Sequence, residues 1–300
     1  MTNPNRFKDL PLINRPIIRW PEDARLALWI VPNMEHYEFL PQADHTRNQW
    51  PRTPHPDVAS YSHRDYGNRV AFWRMLEVMD HHKVRCTVSL NAAVMDHFPE
   101  IRDAMVNRDW DYMSHGIYNT RYLNQMSVQE ERAFYQECIS SLKKHTGKQL
   151  KGMLTPAVSP TSNSSDLMAE AGLIYHADWF CDDQPFPLSV KSGRLISIPY
   201  AIDLNDGTFN RFGCPPEYWA QCIKDQFDIL YEEGANNGMV MCVSLHPYIC
   251  AHPSRIKLLD DVIGYMLSHS QVWQTTGDDI AQYYMDNYYE KVTKFLKTEQ

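Results

Sequence analysis

Short apolar runs alternate with longer amphipathic stretches along this chain, and the alternation predicts its elements. Leu26–Val31 is apolar at every position, the mark of a strand buried on both faces. Residues 68–82 place Val70, Trp73, Leu76 and Met79 at helical spacing. A strand over Val84–Leu90 and a helix from about Pro99 to Arg108 follow. The next run ends at His115, where Gly116 breaks the chain. Ser127-Val128-Gln129-Glu130 is a capping box that opens a helix closing near Thr146-Gly147. Strands are predicted at Leu150–Leu154, Leu173–Ala177, Leu195–Pro199 and Gly238–Leu245, with a helix at 164–171. Further helices run from Pro215-Pro216 to about Gly234, over Ser254–Ser268 and over Asp278–Phe295. Trp73, Tyr218, Trp219 and Tyr283 sit at helical spacing and read as core.

About seven strands alternating with helices form a parallel sheet. At 300 residues a barrel, incomplete or distorted, accounts for the length better than an open doubly wound sheet. No G-x-G-x-x-G follows the first strand and no Walker loop occurs. One domain over 21–300 is expected. A polar N-terminal extension, 1–20, precedes it, interrupted by Pro4, Pro11 and Pro16. The proline-punctuated stretch between Asn33 and Asn68 reads as a rim or lid loop.

Composition narrows the functions. The formal net charge is −8 with no Lys/Arg block, which argues against nucleic acid as a partner. No apolar run reaches membrane-spanning length and no secretory signal opens the chain. Seven scattered cysteines without C-x-x-C fit reduced thiols and a cytoplasmic protein.

In a parallel barrel the strand exits share one rim, where such folds keep their chemistry. The first strand leaves through Asn33-Met34-Glu35-His36-Tyr37-Glu38, another through His115, and the late one through His246. Four residues past His115 stands Asn119, one helical turn on. A zinc site would favour histidine at both places, so this is a metal-site spacing with one ligand weakened. Asp65 opens a helix, where it caps and favours the dipole or, with Arg69, clamps a planar polar substrate at the rim. In the cluster Asp178 to Asp183, one carboxylate is expected to orient a rim residue, with Asp183 the substrate-binding candidate.

These residues, with Pro54-His55-Pro56, Asp65-Tyr66-Gly67-Asn68-Arg69, Trp73-Arg74, Ser114-His115-Gly116, Phe227–Gly234 and Ser244-Leu245-His246, resemble the polysaccharide deacetylase (NodB-like) superfamily. The closer likeness is to its metal-independent allantoinase branch. The resemblance runs from roughly Pro21 to Tyr284 and implies a distorted (β/α)7-type barrel that hydrolyses non-peptide C–N bonds. It aligns Glu35 with the family's metal-ligand acid and His246 with its general-acid histidine. Three departures stand out: Asn33 fills the base position and cannot accept a proton at neutral pH, Asn119 replaces a histidine, and Thr155-Pro156-Ala157-Val158 stands where an arginine is expected.

The expected function is hydrolysis of a small amide, imide or ureide. Catalysis would fall to Glu35, His115 and His246, and substrate binding to Asn33, Asp65, Arg69, Asn119 and Asp183. Asn119 would hydrogen-bond the substrate carbonyl or oxyanion. Either no cofactor is needed, or one divalent metal, zinc foremost, sits on Glu35, His115 and Asn119. The alternatives are a metal-dependent deacetylase of an N-acetylated sugar or amine, and a non-catalytic binding barrel. A small-molecule partner and a homo-oligomer are expected, the oligomer mainly from the resemblance.

Overall fold

The computed structural model describes residues 5–41 and 56–298. Among the described residues nine strands form one sheet: β1 (Leu26–Met34), β2 (Thr87–Leu90), β3 (Asp111–Ser114), β4 (Gly152–Met153), β5 (Tyr175–His176), β6 (Phe186–Leu188), β7 (Leu195–Ser197), β8 (Met239–Leu245) and β9 (Val272–Thr275). The order is β6-β7-β5-β4-β3-β2-β1-β8, with β9 paired to the first half of β1. The seven strands from β7 to β8 along this path are parallel and are the seven that the apolar runs predict. The two extra strands carry weak signals. β6 is antiparallel at the sheet edge and contains Pro187, while β9 (Val-Trp-Gln-Thr) is short and half-buried.

The barrel is incomplete between β8 and the β5–β7 side. Loop atoms bridge that gap: Val240 N donates to Asp183 O at 2.9 Å, Gln184 Nε2 to Gly238 O at 2.8 Å, and Trp29 Nε1 to Pro199 O at 3.2 Å.

Twelve helices are described: α1 (Val58–Tyr66), α2 (Phe72–His81), α3 (Ala93–His97), α4 (Pro99–Val106), α5 (Val128–Thr146), α6 (Ser164–Glu170), α7 (Asp206–Arg211), α8 (Pro216–Glu233), α9 (Pro247–Cys250), α10 (Ile256–Leu267), α11 (Gly277–Asn287) and α12 (Tyr289–Thr298). The capping box at Ser127 and Glu130 and the left-handed Gly147 at the end of α5 are both present. Among the described residues no helix is long and apolar enough to cross a membrane.

Part of the predicted rim loop, 42–55, lies outside the described residues. The part that is described is more regular than expected. α1 begins at Val58 and runs through a π-helical turn, Gly67–Ala71, into α2, so the helix expected from residue 68 starts a full ten residues earlier. Gly67 lets the helix pass Tyr248, whose backbone N would lie 3.2 Å from a Cβ.

The strands split their side chains between two cores, as a period of two requires. Leu26, Leu28 and Ile30 pack with Phe72, Phe134, Ile223 and Phe227 beneath the helices. Ala27, Trp29 and Val31 pack on the other face with Tyr175, Ile196, Val240, Ile280 and Tyr284. The N-terminal extension joins this second core: Ile18 and Trp20 are buried, and Trp20 Nε1 donates to Met239 O at 2.8 Å. Trp219 is core as expected, but Trp73 and Tyr218 are exposed, because each sits on the outward side of its helix.

One carboxyl in this packing is poised to titrate. Asp278 is buried at the start of α11, accepts from Tyr175 Oη at 2.9 Å, and lies 3.9 Å from Lys151 Nζ. Burial and the nearby Asp111 charge raise its pKa from 3.8 to about 7. The folded chain therefore keeps a proton there that the unfolded chain has already lost, so this group's contribution to stability falls as pH rises from 3.8 to about 7. Asp278→Asn keeps the acceptor for Tyr175 and removes the buried charge. Thermal unfolding midpoints should show it stabilising at pH 8 relative to pH 5; an equal effect at both would show that Asp278 stays ionised.

Candidate active site

The parallel ladders bring the polar strand exits together. β1 and β8 pair in register up to Pro32 opposite Leu245, so Asn33 and His246 follow side by side. β2 and β3 pair up to Leu90 opposite Ser114, which places His115 next. Asn91, buried just beyond β2, ties these exits together: its Oδ1 accepts from His36 N at 3.0 Å and its Nδ2 donates to His115 O. Gly116 makes the turn possible. Its φ is +77°, and a Cβ there would lie 2.6 Å from Pro156.

Glu35, His115 and His246 converge on a cavity of about 290 Å³. Glu35 Oε1 lies 3.5 Å from His246 Nε2 and 3.7 Å from His115 Nε2. The other carboxylate oxygen, Oε2, accepts from Tyr37 Oη at 2.7 Å. Burial alone would raise the Glu35 pKa, but the His246 and His115 side chains and the Tyr37 hydroxyl outweigh it and hold the value at about 2.

The two histidines take opposite states. His246 Nδ1 meets Asp206 Oδ1 at 2.7 Å, and its backbone N donates to Asp206 Oδ2 at 2.8 Å. Burial disfavours its charge, yet Asp206 and Glu35 overcome that and raise its pKa to about 10. His246 is thus an imidazolium with Nε2–H facing Glu35. His115 Nδ1 donates to Leu154 O at 2.8 Å, and burial lowers its pKa. It is neutral, and that hydrogen bond sets the tautomer so that the Nε2 lone pair faces Glu35.

Asn33 and Asn119 both line the cavity, but neither is free in the way expected. Asn33 Nδ2 lies within 3.1 Å of Tyr200 Oη and of Ser244 Oγ, so this amide ties β1 to the β7 and β8 exits. Asn119 Nδ2 donates to Tyr37 Oη at 2.5 Å. One of its two N–H groups is used there, and Oδ1 is buried without a partner. Beside the expected donor, the amide therefore offers an unpaired acceptor.

Asp65 and Arg69 do not line the cavity; Arg64 does. Helical spacing explains the exchange. Arg64 and Asn68, four apart, face inward, with Asn68 Nδ2 donating to Glu35 O at 2.8 Å and the Arg64 guanidinium 4.7 Å over the Tyr37 ring. Asp65 and Arg69 share the outward side. Asp183 is also apart, lining a separate cavity beside β8. In its cluster it is Asp178 that is buried, accepting from Thr155 N at 2.8 Å.

Sequence reading missed Asp206, Tyr37, Arg64 and Asn91. Asp206 had one usable signal, because Asn205-Asp206-Gly207 is a turn-and-cap sequence, and Asn205 does cap α7.

A catalytic zinc takes three strong protein ligands and a water. Glu35 and His115 are two; the third falls to the neutral Asn119 amide, and the Glu35 charge is already met by His246 and Tyr37. Among the described residues, the group of three His, Cys, Asp or Glu donors that all lie close enough to one another to share an ion is His81, His82 and Asp260, outside this cavity. The pocket does not fit a tightly held zinc on Glu35, His115 and Asn119.

Comparison with known proteins supplies the family. Residues 54–176 match the polysaccharide deacetylase family model. A Schizosaccharomyces pombe protein assigned by name to the polysaccharide deacetylases is 25% identical over 296 residues, covering 88% of this chain and 91% of that one. The crystal structure of PuuE allantoinase aligns with a TM-score of 0.78 at 28% identity, covering 92% of this chain and 95% of its own. A Pseudomonas aeruginosa PAO1 structure, also assigned by name to the polysaccharide deacetylases, gives a TM-score of 0.82 at 30% identity, covering 92% of this chain and 96% of that one. With that identity sustained across nearly the full length of both chains, this protein belongs to the polysaccharide deacetylase family.

Proposed function

We propose that this protein hydrolyses a non-peptide C–N bond in a small amide, imide or ureide, without a metal. The observation that carries the reading is the chain Asp206–His246–Glu35–His115, in which a buried imidazolium and a neutral imidazole flank one carboxylate. The likeness to PuuE, whose name says it acts on allantoin, a cyclic ureide, supports the substrate class.

The geometry supplies each part of the reaction. Glu35 Oε1 and His115 Nε2 are both acceptors and lie 3.7 Å apart, too far for a direct hydrogen bond and suited to a water that donates to each. The lone pairs of that water are left to attack a carbonyl carbon in the cavity. One water proton passes to Glu35, and His246 Nε2 gives its proton to the departing nitrogen as the C–N bond breaks. A carboxylate held at about 2 is a weak base, but the imidazolium is what holds it there. As His246 loses its proton, Glu35 becomes more basic, so the two transfers assist each other. Glu35 then returns its proton across 3.5 Å to His246, and the carboxylic acid and amine leave. Arg64, on the same wall, adds positive charge near the developing oxyanion.

Family membership favours a second reading, removal of an N-acetyl group from a sugar or amine. It uses the same water and the same acid.

Steady-state assays with allantoin, hydantoin, cyclic imides and N-acetylated amines test the reading; turnover of none of them would contradict it. His246→Ala should lower turnover by roughly 10²–10⁴-fold, the usual worth of a general acid. Asp206→Asn removes the charge that helps hold His246 at about 10, so the alkaline limb of the rate profile should move to lower pH. An unmoved limb would take His246 out of the acid role. Chelator treatment should leave turnover unchanged; loss restored by zinc would overturn the metal-free mechanism.

A further inference from the structure

The direction of one hydrogen-bond chain fixes which atoms this pocket presents to a substrate. Among the described residues, Tyr37 Oη hydrogen-bonds Glu35 Oε2 at 2.7 Å and Asn119 Nδ2 at 2.5 Å, with the Arg64 guanidinium over its ring. Glu35, whose Oε1 lies 3.5 Å from His246 Nε2, is a carboxylate paired with an imidazolium and can only accept. The phenol proton therefore goes to Glu35, and the phenol oxygen spends its lone pairs on donors.

This settles the Asn119 amide. Amide oxygen and nitrogen are told apart by their hydrogen-bond partners. If the amide were turned over, its oxygen would face a phenol oxygen with no proton to give. The NH2 group must face Tyr37, and Oδ1 must be an acceptor. That oxygen is buried without a partner in a residue only 7% exposed that lines the cavity. The neighbouring His115 Nε2 is a second acceptor, because its proton is on Nδ1 against Leu154 O.

We propose that Asn119 is a specificity-determining residue that selects substrates carrying an N–H beside the scissile carbonyl, by accepting that hydrogen on Oδ1. The proposal rests on the C–N hydrolase reading and narrows it. Primary amides, ureides and cyclic ureides with free N–H groups satisfy Oδ1. Esters and fully N-alkylated amides leave it buried and unpaired, and so bind more weakly. The departure from the family's histidine at this position thus has a chemical purpose: a neutral acceptor replaces a metal ligand.

The test compares hydantoin with 1,3-dimethylhydantoin, which has the same ring and no N–H, by equilibrium binding and by turnover. Wild-type protein should bind hydantoin roughly 10- to 100-fold more tightly, as expected for one buried acceptor left unpaired. Asn119→Leu keeps the branched shape and removes the acceptor, so the discrimination should collapse toward unity. Discrimination that survives in Asn119→Leu would mean that the methyl groups are excluded by shape, and would overturn the proposal. Should Asn119→Leu not fold, Asn119→Ala removes the same acceptor and takes its place; equal binding of the two compounds by the wild-type protein also overturns the proposal, as does failure of hydantoin to bind. The two readings separate cleanly. Hydantoin bound with N–H discrimination while no compound of the panel is hydrolysed would sink the hydrolase reading alone, and equal hydrolysis of both hydantoins would sink only the role of Asn119.

Discussion

The pairing of β1 with β8 is the constraint on which the site depends. The ladder runs unbroken from Leu26 opposite Met239 to Pro32 opposite Leu245. Both strands are buried throughout, and their register sets His246 level with Asn33, two residues before Glu35. That shared level sets Glu35 3.5 Å from His246, although the two residues lie far apart in the chain. A slip of one residue would turn every side chain of one strand to the opposite face, exchanging the core with its reverse and parting the pair. The hydrophobic pattern that specifies the fold is therefore also what positions the chemistry.

Around that pair the protein keeps charge in a dry place by compensating it in series. A lone buried carboxylate would take up a proton rather than stay ionised. Glu35 stays ionised because a cationic histidine and a phenol hydroxyl face its two oxygens, and His246 stays cationic because Asp206 holds it from behind. Removing either end leaves an uncompensated charge in the interior, which is far costlier than the pair itself. The same series of bonds orients Tyr37 and, through it, Asn119. Electrostatics and substrate preference are thus one property of this pocket.

How much of this the sequence disclosed depended on the range of the interaction involved. The seven parallel strands were legible because a strand buried on both faces is apolar along its run, as Leu26–Val31 and Met239–Val243 are. Glu35, His115 and His246 were legible because strand ends in a parallel barrel share a rim. Asp206 was not, since nothing local says that the first residue of a short helix will sit behind a histidine forty residues on. The choice of Arg64 over Arg69 needed the phase of α1, which is set by the π-helical turn at Gly67–Ala71. The state of Asn119 lay beyond pattern reading, because it follows from the direction of a proton on Tyr37. Residues can be drawn to a rim by periodicity; their protonation and orientation are fixed only by neighbours brought in from elsewhere in the chain.

The central claim is that a water held by Glu35 and His115 opens a C–N bond with no metal. Single-turnover hydrolysis of hydantoin by chelator-treated protein in ¹⁸O-labelled water tests it most directly. The account predicts one ¹⁸O atom in the product carboxylate at a rate independent of added zinc. Product formed only after zinc is restored would contradict it.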